Sequence, residues 1–232
     1  MLFLFSYAFN AIIRLLDYMF CRFSEYQRWG KLVMRSNLFP TRERLTKDEI
    51  NEFPLRHYDG PICLVTDPKN VPLVCERLSH ESVLGFDTET KPSFRKGQFF
   101  RPALLQLAGK ECVYLFQLTK ISLEGPLLSL LTDHMIIKAG VAVKDDLVGL
   151  KQHIAFNENG FADLSSISAR NGYMTRGLRN MAANFLGFRI GKGAQQSNWG
   201  RSLLTKKQQV YAATDAWVSR DLYFRFKEMD LV

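Results

Sequence analysis

The 232-residue chain is 47% hydrophobic and 23% charged, with a formal net charge of +8. That length can bury a sizeable core, and the excess of Lys and Arg suits a polyanionic partner whose phosphates such side chains neutralise. Cys21, Cys63, Cys75 and Cys112 form no CxxC pair and show no zinc spacing, which excludes a zinc module and fits reduced core thiols in a cytoplasmic protein.

Residues 1–40 stand apart as an apolar and basic extension, leaving 41–232 as the main domain; no repeat, low-complexity run or Gly/Ser linker divides the latter. Positions 1–23 are rich in Leu, Phe, Ile and Tyr but contain Asn10, Arg14 and Asp17. They make a poor membrane span by the test of about twenty nearly uncharged residues. Without a basic leader or a small-residue cleavage site, a secretory signal is not indicated. Three readings stay open: an amphipathic helix on the protein or on a membrane surface, a poor anchor with Arg22, Arg28, Lys31 and Arg35 on the cytoplasmic side, or an upstream start with true initiation at Met34.

Farther on, 57–65 reads as a strand, 68–78 as a helix, and 83–88, 103–108 and 113–117 as three strands with short links, an antiparallel meander. The pattern then changes to a helix at 127–131, a strand at 135–139, a helix at 144–153 and a brief strand at 161–163. Strands separated by helical crossovers pair in parallel. Helices at 177–186 and 205–229 complete an α/β fold, a mixed sheet with antiparallel strands first and parallel ones later, flanked by helices.

Four carboxylates stand out in this frame. Asp87 and Glu89 end the apolar run Ser82-Val83-Leu84-Gly85-Phe86, and residues two apart in a strand project to one face. Such a pair suits hard cations that prefer oxygen ligands. Asp215 lies in the Ala-rich segment after Thr205, four residues beyond Tyr211, so both fall on one helix face. Each element alone has a plain structural reading, a solvated strand end or a core tyrosine; the ordered set does not. Asp163, before Leu-Ser-Ser, reads as a helix cap or turn acid, and His57, His80, His134 and His153 are scattered without ligand spacing.

The set resembles the DEDD superfamily of 3'-5' exonucleases, in the ribonuclease D and Werner-syndrome exonuclease branch. Phe86-Asp87-Thr88-Glu89 matches the first motif, Lys138 to Leu147 (Lys-Ala-Gly-Val-Ala-Val-Lys-Asp-Asp-Leu) the second, and Tyr211-Ala-Ala-Thr-Asp215 the third. Lys91-Pro-Ser-Phe-Arg-Lys-Gly97, which leans towards the Werner type, Pro102-Ala-Leu-Leu-Gln-Leu107 and Lys192 to Trp199 agree as well. The His-type branch carries its His five positions before the last Asp, where this chain has Val210, so the resemblance is to the Tyr type. It implies a ribonuclease H-like fold and two divalent cations, Mg2+ or Mn2+, held by Asp87, Glu89, Asp146 and Asp215, with Tyr211 orienting the attacking water and no small-molecule cofactor. Asp145 and Asp146 compete for the second-motif role; the family pattern favours Asp146, leaving Asp145 as a solvated first-turn acid favoured by the helix dipole.

The implied reaction is hydrolysis from the 3' end of single-stranded or 3'-recessed nucleic acid, RNA or DNA, releasing 5'-mononucleotides. Lys91, Arg95, Lys96 and Lys192 are candidate phosphate contacts, and Arg101, Arg176, Arg179 and Arg201 add to the basic flanks. Phe94, Phe99 and Phe100 read equally well as base-stacking or as packing under the loop, while Trp199 reads as packing. The alternative is a catalytically silent nucleic-acid-binding module on the same fold.

Overall fold

The computed structural model describes residues 41–232 except Phe94 and Lys96; the readings made of residues 1–40 lie outside the described residues. Its elements in chain order are α1 (Lys47–Glu52), β1 (Leu55–Arg56), β2 (Ile62–Val65), a 3-10 turn (Pro68–Asn70), α2 (Val71–Ser79), β3 (Val83–Thr90), β4 (Pro102–Ala108), β5 (Val113–Gln117), α3 (Gly125–Thr132), β6 (Ile137–Gly140), α4 (Val143–Leu150), β7 (Phe161–Asp163), α5 (Leu164–Arg170), α6 (Leu178–Met181), a π turn (Ala182–Leu186), β8 (Arg189–Ile190) and α7 (Lys206–Glu228). Among the described residues no helix is long and apolar enough to cross a membrane.

Six strands form one mixed sheet in the order β2-β5-β4-β3-β6-β7. The expected meander is there, β3 to β4 and β4 to β5 antiparallel, and β6 and β7 then add in parallel. One pairing departs from the antiparallel-first expectation: β2 runs parallel to β5. The strand-helix-strand path through α2 returns the chain in the same direction, so β2 shares the sense of β3 and hence of β5. The result is the ribonuclease H-like layout.

Alternation along the strands divides the core. Leu84, Phe86, Leu105, Leu107 and Phe116 pack on one face with side chains of α2, α3 and α4. On the other, Leu104, Ala108 and Leu115 meet Ala212, Ala213 and Ala216 of α7, while Val83 and Ala139 meet Val218, Leu222 and Phe226 of the same helix. Opposed residues in a ladder share a face, and Gly85 is opposed by Ala108 on β4 and Ala139 on β6. α7 therefore lies on a row of the smallest side chains in the sheet. The approach is so close that a Cβ at Gly85 would stand 1.9 Å from the Ala216 carbonyl oxygen.

Several boundaries differ from the sequence reading. Of the expected strand at 57–65 only Ile62–Val65 forms, because Pro61 cannot donate to a ladder and the Tyr58 N–H donates to Thr214 Oγ1 at 2.9 Å instead of to a neighbouring strand. A two-residue strand that the sequence reading does not include, β1, lies before this range and pairs with β8 as a separate parallel ribbon. The helix expected at 177–186 becomes α6 followed by the π turn. There the buried Asn184 side chain accepts from the Arg42 N–H and donates to the Arg42 carbonyl and Thr175 Oγ1. Lys138 is a buried cation: its ammonium donates to the Asp133 and Ile136 carbonyls at 2.5 and 2.8 Å, and burial pushes its pKa down to about 8. His153 holds the Pro102 carbonyl at 2.8 Å, and His57, His80 and His134 are exposed. Cys63, Cys75 and Cys112 are free thiols; only Cys75 is fully buried.

Replacing Gly85 with Ala should lower the stability of the protein by about 1–3 kcal/mol, the usual range for overpacking a rigid contact, read as a shift in the urea midpoint at unchanged slope. An unchanged midpoint would mean that α7 can lift without cost.

Candidate metal centre

Asp87 and Glu89 sit at the carboxyl end of β3, where the strand leaves its apolar run, and both face α7 as the two-residue period requires. Asp215 comes from above. Thr205 starts α7 with a capping box closed by Gln208, and the buried stripe then runs through Gln208, Ala212, Asp215, Ala216, Ser219, Leu222 and Phe226. An acid thus stands in the middle of a core-facing stripe. The small neighbours at 212 and 216 bring the helix down until ligand oxygens of Asp87, Glu89 and Asp215 lie within 4.8 Å of one another. Glu89 is 8% and Asp215 7% exposed.

Asp146 reaches this centre from α4. Ala142, the residue before the helix, is left-handed (φ 59°), and its N–H is held by Asp163 Oδ1 at 3.1 Å. The same carboxylate caps α5 by accepting from the Ser165 and Ser166 N–H groups, so Asp163 is the cap its sequence suggested. Both Asp145 and Asp146 lie in the first turn of α4, but Asp145 is exposed and Asp146 partly buried. The Thr88 hydroxyl donates to Asp146 Oδ1. Asp146 is the first charge felt by Asp87 after burial itself, yet it stands outside the tight trio.

Four acids packed with no ion-pair partner among the described residues resist ionisation. Burial, then the charges of Asp146, Asp215 and Glu89, push Asp87 well above the usual carboxylate range. Burial, followed by Asp215 and Asp146, lifts Glu89 to about 9. Burial takes Asp215 to about 7 against the hydrogen bond from Tyr211, and Asp146 to about 6 against the one from Thr88. Three converging carboxylates of this kind fit a hard divalent cation, which takes oxygen ligands and supplies the missing positive charge.

Tyr211, one turn before Asp215, hydrogen-bonds that carboxylate, and burial together with the surrounding acids raises its pKa far enough to keep the phenol protonated. Its ring centroid is 6.0 Å from that of Trp199. Trp199 is fully buried, which rules it out as a base reader and makes it a packing residue. Gln106 carries no site signal in the sequence, yet it opposes Asp87 in the ladder, is fully buried, and its carboxamide has no hydrogen-bond partner among the described residues.

The basic candidates divide. Lys91 is exposed, with its ammonium 5.1 Å from the Phe100 ring centroid and its stem beside Gly200; it therefore links the loop after β3 to the loop before α7. Arg95 and Lys192 are exposed, and Lys96 and Phe94 lie outside the described residues. Lys192, Gly193, Gln195, Gln196 and Ser197 line an open groove of ≈ 490 Å³. Gln208 ties this loop to the first turn of α7 through Ser197 Oγ and the Asn198 carbonyl. Phe99 is 84% exposed, whereas Arg179 is engaged with Asn51 on α1.

Residues 62–229 match the family model described as 3'-5' exonuclease. DNA polymerase I of Aquifex aeolicus is 31% identical over 165 residues, covering 71% of this chain and 27% of that protein. The bifunctional 3'-5' exonuclease/ATP-dependent helicase WRN of Mus musculus is 28% identical over 183 residues, covering 75% of this chain and 13% of that one. The chain therefore spans a quarter or so, or less, of these relatives' lengths. Among solved structures, Escherichia coli RNase D superposes with a TM-score of 0.65 at 22% identity, covering 73% of this chain and 46% of that one.

The raised pKa values fix the sign of a stability effect. In EDTA the trio and Asp146 favour folding while protonated, and that contribution is lost as pH rises from about 4 through values near 6, 7 and 9. Asp215→Asn should therefore raise the melting temperature of the metal-free protein at pH 8. Saturating Mn2+ should raise that of the wild type by about 5–10 °C, corresponding to about 2.7 kcal/mol at a hundredfold excess over Kd, and should do little for Asp215→Asn. Scanning calorimetry of both proteins in EDTA and in Mn2+ checks the pair of shifts, and an Asp215→Asn protein less stable than wild type in EDTA would contradict the repulsion argument.

Proposed function

The chain belongs to the 3'-5' exonuclease family, and we propose that it is itself an active enzyme, hydrolysing phosphodiester bonds at the 3' end of single-stranded or 3'-recessed nucleic acid and releasing 5'-mononucleotides. The observation that carries this reading is the meeting of Asp87, Glu89 and Asp215 within 4.8 Å, with Asp146 beside them and Tyr211 on Asp215. No acid of the set is missing, as it would be in a silent module.

Asp87, Glu89, Asp146 and Asp215 are the residues that would hold two divalent cations, Mg2+ or Mn2+. A pair of such ions supplies an activated water and charge to stabilise both the attacking and the leaving oxygen of an in-line displacement. The side chains do the rest. Glu89, projecting beside Asp87, contacts the attacking water. Tyr211, hydrogen-bonded to the Asp215 carboxylate, holds and orients that water. Lys91, Arg95 and Lys192 provide phosphate contacts on the approach, the first also joining the two loops that flank the centre, and Lys96 belongs with them by sequence alone. The names of the relatives span both nucleic acids, DNA polymerase I on one side and RNase D on the other, so both substrate types belong in the test.

The test is a time course on matched 5'-labelled single-stranded RNA, single-stranded DNA and recessed duplex DNA, in Mn2+, Mg2+ or EDTA. Wild type should give metal-dependent ladders that shorten from the 3' end. Asp87→Ala should lose on the order of 1000-fold or more in rate while retaining strand binding. Tyr211→Phe should lose on the order of 100-fold with metal binding intact, as a misplaced nucleophile does. Retained binding with no cleavage under any metal would make the chain a binding module, and an unaltered Tyr211→Phe rate would remove the water-orienting role.

A further inference from the structure

We propose that Thr88, the residue between the two acids of the first motif, is the positioning residue for Asp146 and thereby sets the affinity of one of the two cation positions. This deepens the metal-centre reading above and rests on it. Alternation sends the Thr88 side chain to the face of β3 opposite Asp87 and Glu89. It pairs there across the ladder with Leu105, on the side where α4 packs, and its hydroxyl donates to Asp146 Oδ1. Asp87, Glu89 and Asp215 already converge without help from α4. Asp146 does not: among the described residues, the side-chain contact that fixes its carboxylate is with Thr88.

The chemistry suits the task. A hydroxyl is a neutral donor, so it can aim one oxygen of a carboxylate without neutralising it as Lys or Arg would, and the second oxygen is left for a cation. Thr is β-branched, stiff at χ1 in a strand, and so presents its hydroxyl in a fixed direction. The site then consists of two unlike halves. One is assembled by β3 and α7 alone, the other depends on a single hydrogen bond reaching from β3 to the first turn of α4. Loss of that bond frees Asp146 to rotate and weakens the second half only.

The experiment is a Mn2+ titration of the full chain by calorimetry, together with the Mn2+ dependence of single-strand degradation, on wild type, Thr88→Val, Thr88→Ser and Asp146→Asn. Val keeps the shape and the strand preference of Thr without the hydroxyl; Ser keeps the hydroxyl. The expected result is two binding events in wild type. In Thr88→Val the tighter is within about twofold of wild type and the weaker is loosened about tenfold, with a matching rise in the Mn2+ concentration for half-maximal rate. Thr88→Ser should restore the weaker event, and Asp146→Asn should abolish it. Equal loosening of both events with a lowered melting temperature, or two unchanged events, in Thr88→Val would overturn the assignment to Thr88 while leaving the centre intact. Failure of wild type to bind any Mn2+ would overturn the centre and this inference together.

Discussion

The contact on which the centre depends is the seating of α7 on the row Ala108, Gly85 and Ala139 across three adjacent strands. Helix and sheet ordinarily stand apart by the thickness of their side chains. Here Ala212, Ala213 and Ala216 face Gly and Ala, and the helix backbone comes close enough that no Cβ fits at position 85. That proximity is what lets a short Asp215 side chain reach the oxygens of Asp87 and Glu89. With Leu or Val in the row the same three acids would be present in sequence and too far apart to share an ion. The polar anchoring works in the same direction: the Tyr58 N–H held by Thr214 and the Arg220 guanidinium on the Val83 carbonyl and Glu81 fix the helix along its axis, on both sides of Asp215.

The electrostatics oppose the fold in the absence of a cation. Hydrophobic burial on both faces of the sheet offsets the repulsion of four acids and the unpartnered Gln106 carboxamide, each a local cost of the kind found at functional sites. Among the described residues no ion pair neutralises the trio: Lys91, Arg95 and Lys192 are exposed and stand on loops. Had one of them paired with Glu89 or Asp215, the protein would gain stability and lose the position for a cation. Positive charge on the rim and negative charge in the centre is the arrangement that the proposed function requires, with a phosphate chain attracted by the first and a metal ion by the second.

Much of this was legible in the sequence because the periods are simple. Two residues apart in an apolar strand puts Asp87 and Glu89 on one face, and four apart in a capped helix puts Tyr211 with Asp215. The β4 to β5 hairpin follows from its short link, and the later parallel strands follow from the helices between them, while the antiparallel β3 to β4 pair is joined by the longer loop 91–101. What escaped has a common physical source, contacts between residues distant in the chain. The shortening of the expected 57–65 strand comes from Thr214, which takes the Tyr58 N–H, and the π turn is found where Asn184 is committed to Arg42. Gln106 reads as an ordinary strand residue until its opposition to Asp87 is known. Thr88 carries no signal of its own for the same reason that its neighbours do: the strand period that selects 87 and 89 turns 88 away from them.

The choice between Asp145 and Asp146 shows how a local strain can settle what periodicity cannot. Adjacent helical residues point in different directions, so only one can meet β3, and which one depends on the rotation of α4 about its axis. That rotation is set where the helix begins. Ala142 adopts a left-handed backbone that costs a non-glycine residue roughly 1–2 kcal/mol, and the Asp163 carboxylate holds its N–H in that state. Leaving β6 through this kink, the chain enters α4 with Val143, Leu147 and Leu150 buried, an i, i+4, i+7 stripe that leaves Asp145 exposed and brings Asp146 to Thr88. The strained turn, its acidic clamp and the apolar stripe thus act on one angle, and that angle decides which carboxylate joins the centre.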